Sequence, residues 1–288
     1  MTKLTQLPRY LVLSGLAGLF LFPLMLTLTN GFMSETEVSL LYNPSLTVFD
    51  VYEGVSQRFV PLRLIPQSVT LGQFRAVLVE QPLFLMLMLN SILITLPVVI
   101  GNLVVSLLTA HGFTIWHYKH KEKIFFIYIV VMLMPLQAVL VPHFIMADQL
   151  GISTSVWAII WPGIFAPFGT FILRQSMKSI HIANFEAARL DGANEWQVFI
   201  WIIVPQLKSG MAALSMLVFI DYWNLVEQAV IFIRTYHNEP LSVFLSRISD
   251  GQVSLVFAAS VVYMLWPFLW LILGQKDLQT GIELSGVK

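Results

Sequence analysis

The sequence predicts an all-α membrane protein with six transmembrane helices, and two observations carry this prediction. Of the 288 residues, 57% are hydrophobic and only 11% are charged, whereas soluble domains carry about 25% charged residues. Mostly apolar stretches recur along the chain, each close to the roughly 20 residues that cross ~30 Å of hydrocarbon. These stretches are Tyr10–Thr29, Leu83–Ala110, Ile124–Ala147, Ser153–Leu173, Gly210–Ile233 and Val253–Leu273.

The distribution of charge predicts how these helices cross the membrane. With the amino terminus placed inside, the cytoplasmic segments carry five more basic than acidic residues, and the outer segments carry five more acidic than basic residues. Because Lys and Arg are retained in cytoplasmic loops, we expect a multi-pass protein of the cell membrane with both termini cytoplasmic. The first apolar stretch lacks a cleavage site of small residues, so we expect it to remain as an anchor.

A polar island from Phe185 to Pro205 separates the fourth and fifth apolar stretches. The apolar segments on either side of this island contain no charged residues. This island must therefore lie in water. The residues before Gly192 favour helix, Gly192 can end that helix in a left-handed turn, and Glu195 can begin a second helix that runs up to Pro205. The sequence predicts a compact helix-turn-helix on the cytoplasmic side.

This island resembles the cytoplasmic coupling loop of ABC importer permeases, in the carbohydrate branch near the smaller maltose permease subunit. In that family, Glu-Ala-Ala is separated from a Gly by three residues, and after about nine more residues come an aliphatic residue, one further residue and Leu-Pro. The matching residues here are Glu186, Ala187, Ala188, Asp191, Gly192, Ile202 and Val204-Pro205. Val204 stands where Leu is usual.

The resemblance implies the type I ABC importer permease fold and several partners. It divides the chain into a first span and outer loop (1–82), a core (83–274) that contains the coupling loop (174–209), and a cytoplasmic tail (275–288). Its partners would be an ATP-binding subunit that contacts the coupling residues, a second and different permease, an extracytoplasmic solute-binding protein and membrane lipid. The segment Gly281–Lys288 resembles the tail that sugar permeases lay against the ATPase.

The fifth apolar stretch carries an unusual set of polar side chains. On a continuous helix at 100° per residue, Asp221, Asn224, Glu227 and Gln228 fall within about 120° of one face. Intramembrane carboxylates are costly unless they face a cavity or a partner. Together with Trp223, which matches the Trp-Asn of sugar permeases, this stripe predicts the substrate path. The alternative is that Asp221 and Glu227 lie near the outer surface and are solvated.

Other polar residues in the spans admit two interpretations. Asn90 and Asn102 suit close helix packing, with substrate contact as the alternative. Pro135 and Pro142 predict either a kinked packing helix or one that lines the path, since proline frees backbone carbonyls. His111, His117 and His120 lie beside three lysines, which predicts a solvated face and no metal site.

The predicted function is a permease subunit that couples ATPase motion to the import of a carbohydrate or related solute. The chain contains no Gly-Lys pair and hence no phosphate-binding loop, so we expect a non-catalytic subunit with no catalytic residues, no cofactor and no nucleic acid partner. One alternative is an ABC permease for a non-sugar or glycoconjugate cargo. Another is an ion-coupled secondary transporter that uses Asp221 and Glu227 as proton sites.

Overall fold

The computed structural model describes residues 7–42, 63–180, 182–247 and 253–286. The end of the predicted tail, Val287-Lys288, lies outside these residues, as do residues 43–62 of the predicted outer loop. The described residues form helices joined by turns, with a single bridge between Met33 and Val69. The all-α fold is therefore confirmed.

The helices follow one another in short intervals along the chain. In order they are α1 (Leu7–Gly31), α2 (Glu35–Tyr42), α3 (Gly72–Arg75), a π-helical turn (Ala76–Glu80), α4 (Pro82–Ile115), α5 (Lys121–Met132), α6 (Leu136–Gln149), α7 (Trp157–Ile164), α8 (Pro167–Lys178), α9 (Ile182–Leu190), α10 (Glu195–Gln197), a π-helical segment (Val198–Ile203), α11 (Val204–Gln206), α12 (Lys208–Trp223), α13 (Glu227–Phe232), a 3-10 turn (Tyr236–Asn238), α14 (Leu241–Ser246) and α15 (Val253–Gly286).

Four helical segments are long and apolar enough to cross a membrane by themselves, namely Arg9–Gly31, Pro82–Ile115, Trp157–Lys178 and Val253–Lys276. Two bent pairs bring the number to six when each pair counts as one span. The predicted third span bends by 98° between α5 and α6, where Pro135 caps α6 in an extended conformation. Because proline lacks an N–H and disfavours helix at the residue before it, this bend is encoded locally.

Two expectations about the fifth span and its approach are wrong. Pro205 does not end the helix before it, because α11 runs through it to Gln206 and the chain bends by 72° before α12. The predicted fifth span is not continuous, because α12 ends at Trp223 and α13 begins only at Glu227. The four polar residues of the predicted stripe therefore do not share one helical face.

The described residues form two compact units, Met1–Met86 with Phe244–Trp266 and Leu87–Val243 with Pro267–Lys288. In the first unit, α1 and α15 approach closely at Gly31, where an added Cβ would lie 3.1 Å from Val261. The Glu37 carboxylate accepts hydrogen bonds from the Gln67 and Ser68 amides at 2.9 and 3.2 Å. This contact fastens α2 to the approach to α3.

The core of the second unit is built around a break in the fourth span. Helix α7 ends at Ile164 and α8 begins at Pro167, so the intervening carbonyls have no helical donors. The buried Asn102 amide of α4 donates to the carbonyls of Gly163 at 3.0 Å and of Ile164 and Ala166 at 3.3 Å. These contacts support the packing interpretation of Asn102, because its side-chain amide donates hydrogen bonds to the backbone carbonyls that the break leaves without helical donors.

The loop after α13 is fastened to α4 in the same way. The Asn90 amide donates to the carbonyls of His237 and Glu239 at 2.7 and 3.1 Å. The neighbouring Ser91 hydroxyl accepts from the Leu241 amide at 2.8 Å. Asn90 therefore contacts protein backbone, which supports its packing interpretation.

Candidate coupling and translocation sites

The polar island folds into a helical knob whose turn is set by Gly192. Helix α9 ends at Leu190, and Gly192 adopts a left-handed φ of +85°. The Ala193 amide donates to the Ala188 carbonyl at 3.0 Å, and the Gly192 amide donates to the Arg189 carbonyl at 3.1 Å. This six-to-one and five-to-two pattern is the Schellman motif, in which glycine carries no Cβ penalty.

The second half of the knob starts from a capping box. The Asn194 side chain accepts from the Gln197 amide at 2.9 Å, and the Gln197 side chain accepts from the Asn194 amide at 2.8 Å. An ion pair of 2.9 Å between Arg189 and Glu195 crosses the turn. Reciprocal capping and this pair fix the direction of the chain on both sides of Gly192.

The knob is held to the membrane helices by its apolar side. Phe185, Phe199 and Ile203 are buried, and the Phe199 ring lies 5.0 Å from the His111 ring of α4. His111 is therefore half-buried against the knob, which corrects the expectation of a solvated face at this residue. His117 and His120 are exposed, as that expectation requires.

The predicted coupling residues lie mostly on the free side of the knob. Ala188 is buried with an exposed fraction of 9%, because it faces the knob's own core. The other predicted residues, Glu186, Ala187, Asp191, Gly192 and Pro205, are exposed. The structure thus brings the motif residues together on one projecting element.

Four large apolar side chains on the knob are exposed and were not predicted from the sequence pattern. Leu190 is 88% exposed, Trp196 is 64% exposed, Ile200 is 49% exposed and Trp201 is 75% exposed. Apolar residues inside a charged, aqueous loop are the signal that would have found them. Exposed apolar groups rimmed by charge are typical of surfaces that bind another protein.

The residues of the predicted substrate path are separated by the end of α12. Trp223 is fully buried and its ring stacks on Phe219 at 5.4 Å. Asn224 is exposed and its amide donates to the Ile220 carbonyl at 2.9 Å. Glu227 is exposed and Gln228 is half-buried at the start of α13. Trp223 is therefore a core residue, and the polar set is divided between the end of α12, the residue that follows it and the start of α13.

Glu227 links the break between α12 and α13 to the bend between α5 and α6. Its carboxylate accepts a hydrogen bond of 3.1 Å from the Gln137 amide, in the first turn of α6. Gln137 follows the bend at Pro135, and Glu227 follows the break after Trp223. Both side chains are exposed. Two interrupted spans thus present polar groups to each other where each span changes direction.

Asp221 lies apart from that pair, on the wall of a cavity of about 360 Å³. The cavity lies between α12 and the break of the fourth span. Its lining includes Asp221, Tyr222, Asn102, Phe168 and Gly169. An added Cβ on Gly163, which also lines this cavity, would meet the Tyr222 hydroxyl at 2.5 Å, so the Tyr222 side chain rests directly on backbone there.

The chain resembles known permeases over nearly its whole length. It is 23% identical over 267 residues to the arabinooligosaccharides transport system permease protein AraQ of Halalkalibacterium halodurans, covering 92% of this chain and 96% of that protein. It is 24% identical over 287 residues to the galactooligosaccharides transport system permease protein GanQ of Bacillus subtilis, covering 97% and 94%. A search against family models gives no match.

A solved structure gives the same result at the level of the fold. A chain from a bacterial ABC transporter involved in the import of the acidic polysaccharide alginate superposes with a TM-score of 0.76, at 20% identity, covering 95% of this chain and 96% of that one. Over nearly its whole length the chain is thus similar to carbohydrate ABC transporter permeases, and it shares the fold of an ABC importer chain. The resemblance seen at Glu186-Ala187-Ala188 is confirmed, and with it the permease fold.

A buried arginine joins three helices close in sequence to the knob. Arg174 of α8 is 1% exposed, and its Nε donates to the Phe113 carbonyl at 3.2 Å. Its Nη2 pairs with Glu122 of α5 at 2.5 Å, and its guanidinium lies 3.7 Å from the centroid of the Phe125 ring. Arg174 therefore ties together the ends of three helices, and α9 begins only a few residues later.

Proposed function

We propose that this permease carries a carbohydrate across the cell membrane in a complex with a second, different permease, an ATP-binding subunit and an extracytoplasmic solute-binding protein. Relatives over nearly the full length are transport system permeases for arabinooligosaccharides and galactooligosaccharides. The observation that carries the proposal is the knob, since a rigid projection with exposed apolar and acidic groups serves no purpose in a transporter that works alone.

The knob is the contact with the ATP-binding subunit. Glu186 lines a cavity of about 380 Å³ whose lining also includes Thr114, Lys178, Phe185 and Arg189. The cavity offers the Glu186 carboxylate to a partner's side chain, and Leu190 and Trp196 of the same knob offer exposed apolar surface. Interface centres typically combine these features, since aromatic residues dominate the binding energy.

Motion of the knob reaches the spans through Arg174. Helix α9 follows α8 directly, and Arg174 holds α8 to α5 and to the end of α4 by an ion pair, a hydrogen bond and a ring contact. When the ATP-binding subunits close, displacement of α9 therefore moves the cytoplasmic ends of α4, α5 and α8 as one body. Such rigid transmission converts a local displacement into alternating access.

The substrate path follows the interrupted spans. Asp221, Asn224, Glu227 and Gln228 supply polar groups at or near breaks, where irregular backbone is tolerated only beside protein or water. Trp223 supports this surface from the core. The ion-coupled alternative would use Asp221 and Glu227 as proton sites, but it leaves the knob without a role.

The orientation follows from the charges, with both termini and the knob in the cytoplasm. Single cysteines can test it, because the natural chain has none. In intact cells, an impermeant thiol reagent should label Ser68→Cys, in the approach to α3, and leave Glu186→Cys unlabelled. The opposite pattern of labelling would invert the orientation and remove the knob from reach of a cytoplasmic ATPase.

The function itself is tested by purification and reconstitution. The permease should co-purify with an ATPase and a second permease, and the complex in proteoliposomes with its solute-binding protein should take up a labelled oligosaccharide when ATP is present. ATP hydrolysis without uptake of any carbohydrate would leave the permease class intact and refute the carbohydrate cargo. Uptake driven by a proton gradient without ATP would favour the secondary transporter.

A further inference from the structure

Asp221 differs from the other acidic groups of the described spans because it forms no hydrogen bond or ion pair with any described residue. Glu122 pairs with Arg174, and Glu227 accepts from Gln137. Asp148 accepts from the Ser153 hydroxyl at 3.0 Å. Each of these three carboxylates has its partner within the chain, whereas Asp221 lines a cavity.

The depth of Asp221 makes this lack of a partner expensive. Asp221 lies thirteen residues beyond Lys208, the first residue of α12, which is about 20 Å along a helix. With Lys208 at the membrane surface, this position falls within the ~30 Å of hydrocarbon, where a carboxylate is costly unless it faces water, a cavity or a partner. Asp221 is exposed in the isolated chain, so its carboxylate is open to groups in the cavity that donate hydrogen bonds.

The cavity has the chemistry to hold one sugar unit. Its volume of about 360 Å³ lies within the range of small-molecule sites. The Asp221 carboxylate offers acceptors for hydroxyl groups, and the exposed ring of Phe168 offers a flat apolar face. The Asn102 amide is already committed to the carbonyls of the fourth span, so the Asp221 carboxylate and the Tyr222 hydroxyl are the remaining polar side-chain groups of the wall.

No basic side chain opposes Asp221. Within the described spans, Lys and Arg occur only near the ends, at Arg9, Lys121, Lys123, Arg174, Lys178, Lys208 and Lys276. The cavity lining contains no Lys, Arg or His. An anionic solute at this site would face an unopposed negative charge in a setting of low dielectric, where repulsion is stronger than in water.

We propose that the Asp221 cavity is a subsite of the translocation path that accepts a neutral or amino-bearing sugar unit and rejects uronate and phosphorylated units. The proposal rests on the proposed carbohydrate cargo and narrows its chemical class. It separates this permease from the solved neighbour involved in alginate import, whose cargo is acidic. Asp221 contacts solute hydroxyl or ammonium groups directly and sets the charge preference.

Direct binding to the purified complex tests this subsite without the selectivity of the solute-binding protein. The complex of permeases and ATPase, without the binding protein, is equilibrated with three labelled probes: a galactooligosaccharide, a glucosamine oligosaccharide and an oligogalacturonate. The wild-type complex should bind the first two at least about ten-fold more tightly than the third, as expected when one charge-assisted contact is replaced by repulsion.

Variants then assign the preference to Asp221. Asp221→Asn should weaken binding of the neutral and amino probes by about ten-fold and reduce discrimination against the oligogalacturonate to about three-fold or less. Asp221→Glu should keep the discrimination because it keeps the charge. Asp148→Asn, which removes an acid already satisfied by Ser153, should bind all three probes as the wild type does.

Several outcomes would overturn the subsite. Equal binding of all three probes by the wild type, or unchanged discrimination in Asp221→Asn, would show that Asp221 does not contact the solute. Loss of the second permease from purified Asp221→Asn would show that the carboxylate pairs with a basic side chain of that subunit. Carbohydrate uptake with either outcome would refute only the subsite, whereas absence of carbohydrate uptake by the wild type would refute the cargo class itself.

Discussion

The knob and the interrupted spans are both polar parts of a largely apolar chain, yet they are built in opposite ways. The knob is local, because its turn, its caps and its ion pair all join residues between Ala188 and Gln197. The spans are assembled from distant segments: Glu227 meets Gln137, ninety residues away, and Asn102 caps a break more than sixty residues along. Local construction suits a part that moves as a rigid body, whereas distant contacts suit a wall that can open.

The largest expected effect comes from the turn of the knob. Gly192→Val places a β-branched residue at φ +85°, which costs about 1–2 kcal/mol or more in the left-handed region. No atom lies within 4 Å of the added Cβ, so the effect is confined to the backbone. Solute-stimulated ATPase activity of the reconstituted complex should fall by about ten-fold.

Gly151 provides the matched control for this substitution. Gly151 has φ +71°, open space around its Cβ position and the same hydrogen-bond pattern, with Ile152 donating to Ala147 at 2.9 Å. Gly151→Val should destabilise the permease similarly and leave the ratio of ATP hydrolysed to solute moved unchanged. Equal loss of coupling in both variants would mean that the knob has no special role.

The next effect concerns the joint between the knob and the spans. Arg174→Lys keeps the positive charge but loses the Nε donor and the planar contact with Phe125. We expect a loss of stability of about 1–3 kcal/mol and more ATP hydrolysed per solute transported. The two readouts are thermal unfolding in detergent and the coupling ratio in proteoliposomes.

Glu195→Gln is the control for Arg174, because it breaks the exposed ion pair with Arg189. The two side chains of that pair are 45% and 55% exposed, so we expect less than about 1 kcal/mol. A coupling ratio that stays at the wild-type value in Arg174→Lys, while stability falls, would assign Arg174 to structure alone.

A smaller effect is expected where the two broken spans meet. Glu227→Leu and Gln137→Leu each remove one partner of a charge-assisted hydrogen bond of 3.1 Å, and the loss is partly offset because both side chains are exposed. Each variant should reduce uptake several-fold without changing basal ATPase activity. The double variant should be no worse than either single variant, and strictly additive losses would show that the two side chains act independently.

The smallest effect is a dependence on pH at the contact between α2 and the approach to α3. The hydrogen bond from the Gln67 amide, with those from Ser68, holds the pKa of Glu37 below its ordinary value of 4.5. A lowered carboxyl pKa adds stability above the ordinary value, and this stability is lost as the pH falls through the lowered pKa. Amide exchange at Gln67 and Ser68, corrected for its intrinsic pH dependence, should therefore accelerate below about pH 4.5.

Two variants of α2 sharpen this measurement. Glu37→Gln should show the faster exchange already at neutral pH, because it removes the charge that the amides bind. Glu35→Gln, which alters an exposed acid of the same helix, should follow the wild type. Identical acid behaviour in the wild type and Glu37→Gln would locate the titrating group elsewhere.

Much of this permease is determined by the sequence alone. Six apolar stretches of membrane length, the polar island and the Glu186-Ala187-Ala188 spacing depend on composition and on local propensity, and neither needs tertiary contacts to be recognised. The turn at Gly192 belongs to the same class, because only the local backbone decides its conformation. The bend at Pro135 is similarly local.

The break in the fifth span and the burial of individual side chains depend on tertiary contacts, and hydrophobic periodicity does not predict them. The break after Trp223 carries no proline, and a helical projection therefore placed Asp221 and Glu227 on one face, whereas contacts with Gln137 and with α7 separate them. The burial of Arg174 and the exposure of Leu190 and Trp201 likewise depend on neighbours far along the chain. Packing decides whether a polar group faces a partner, a cavity or backbone. The packing energy comes from contacts between residues far apart in the sequence, so a local sequence pattern does not predict it.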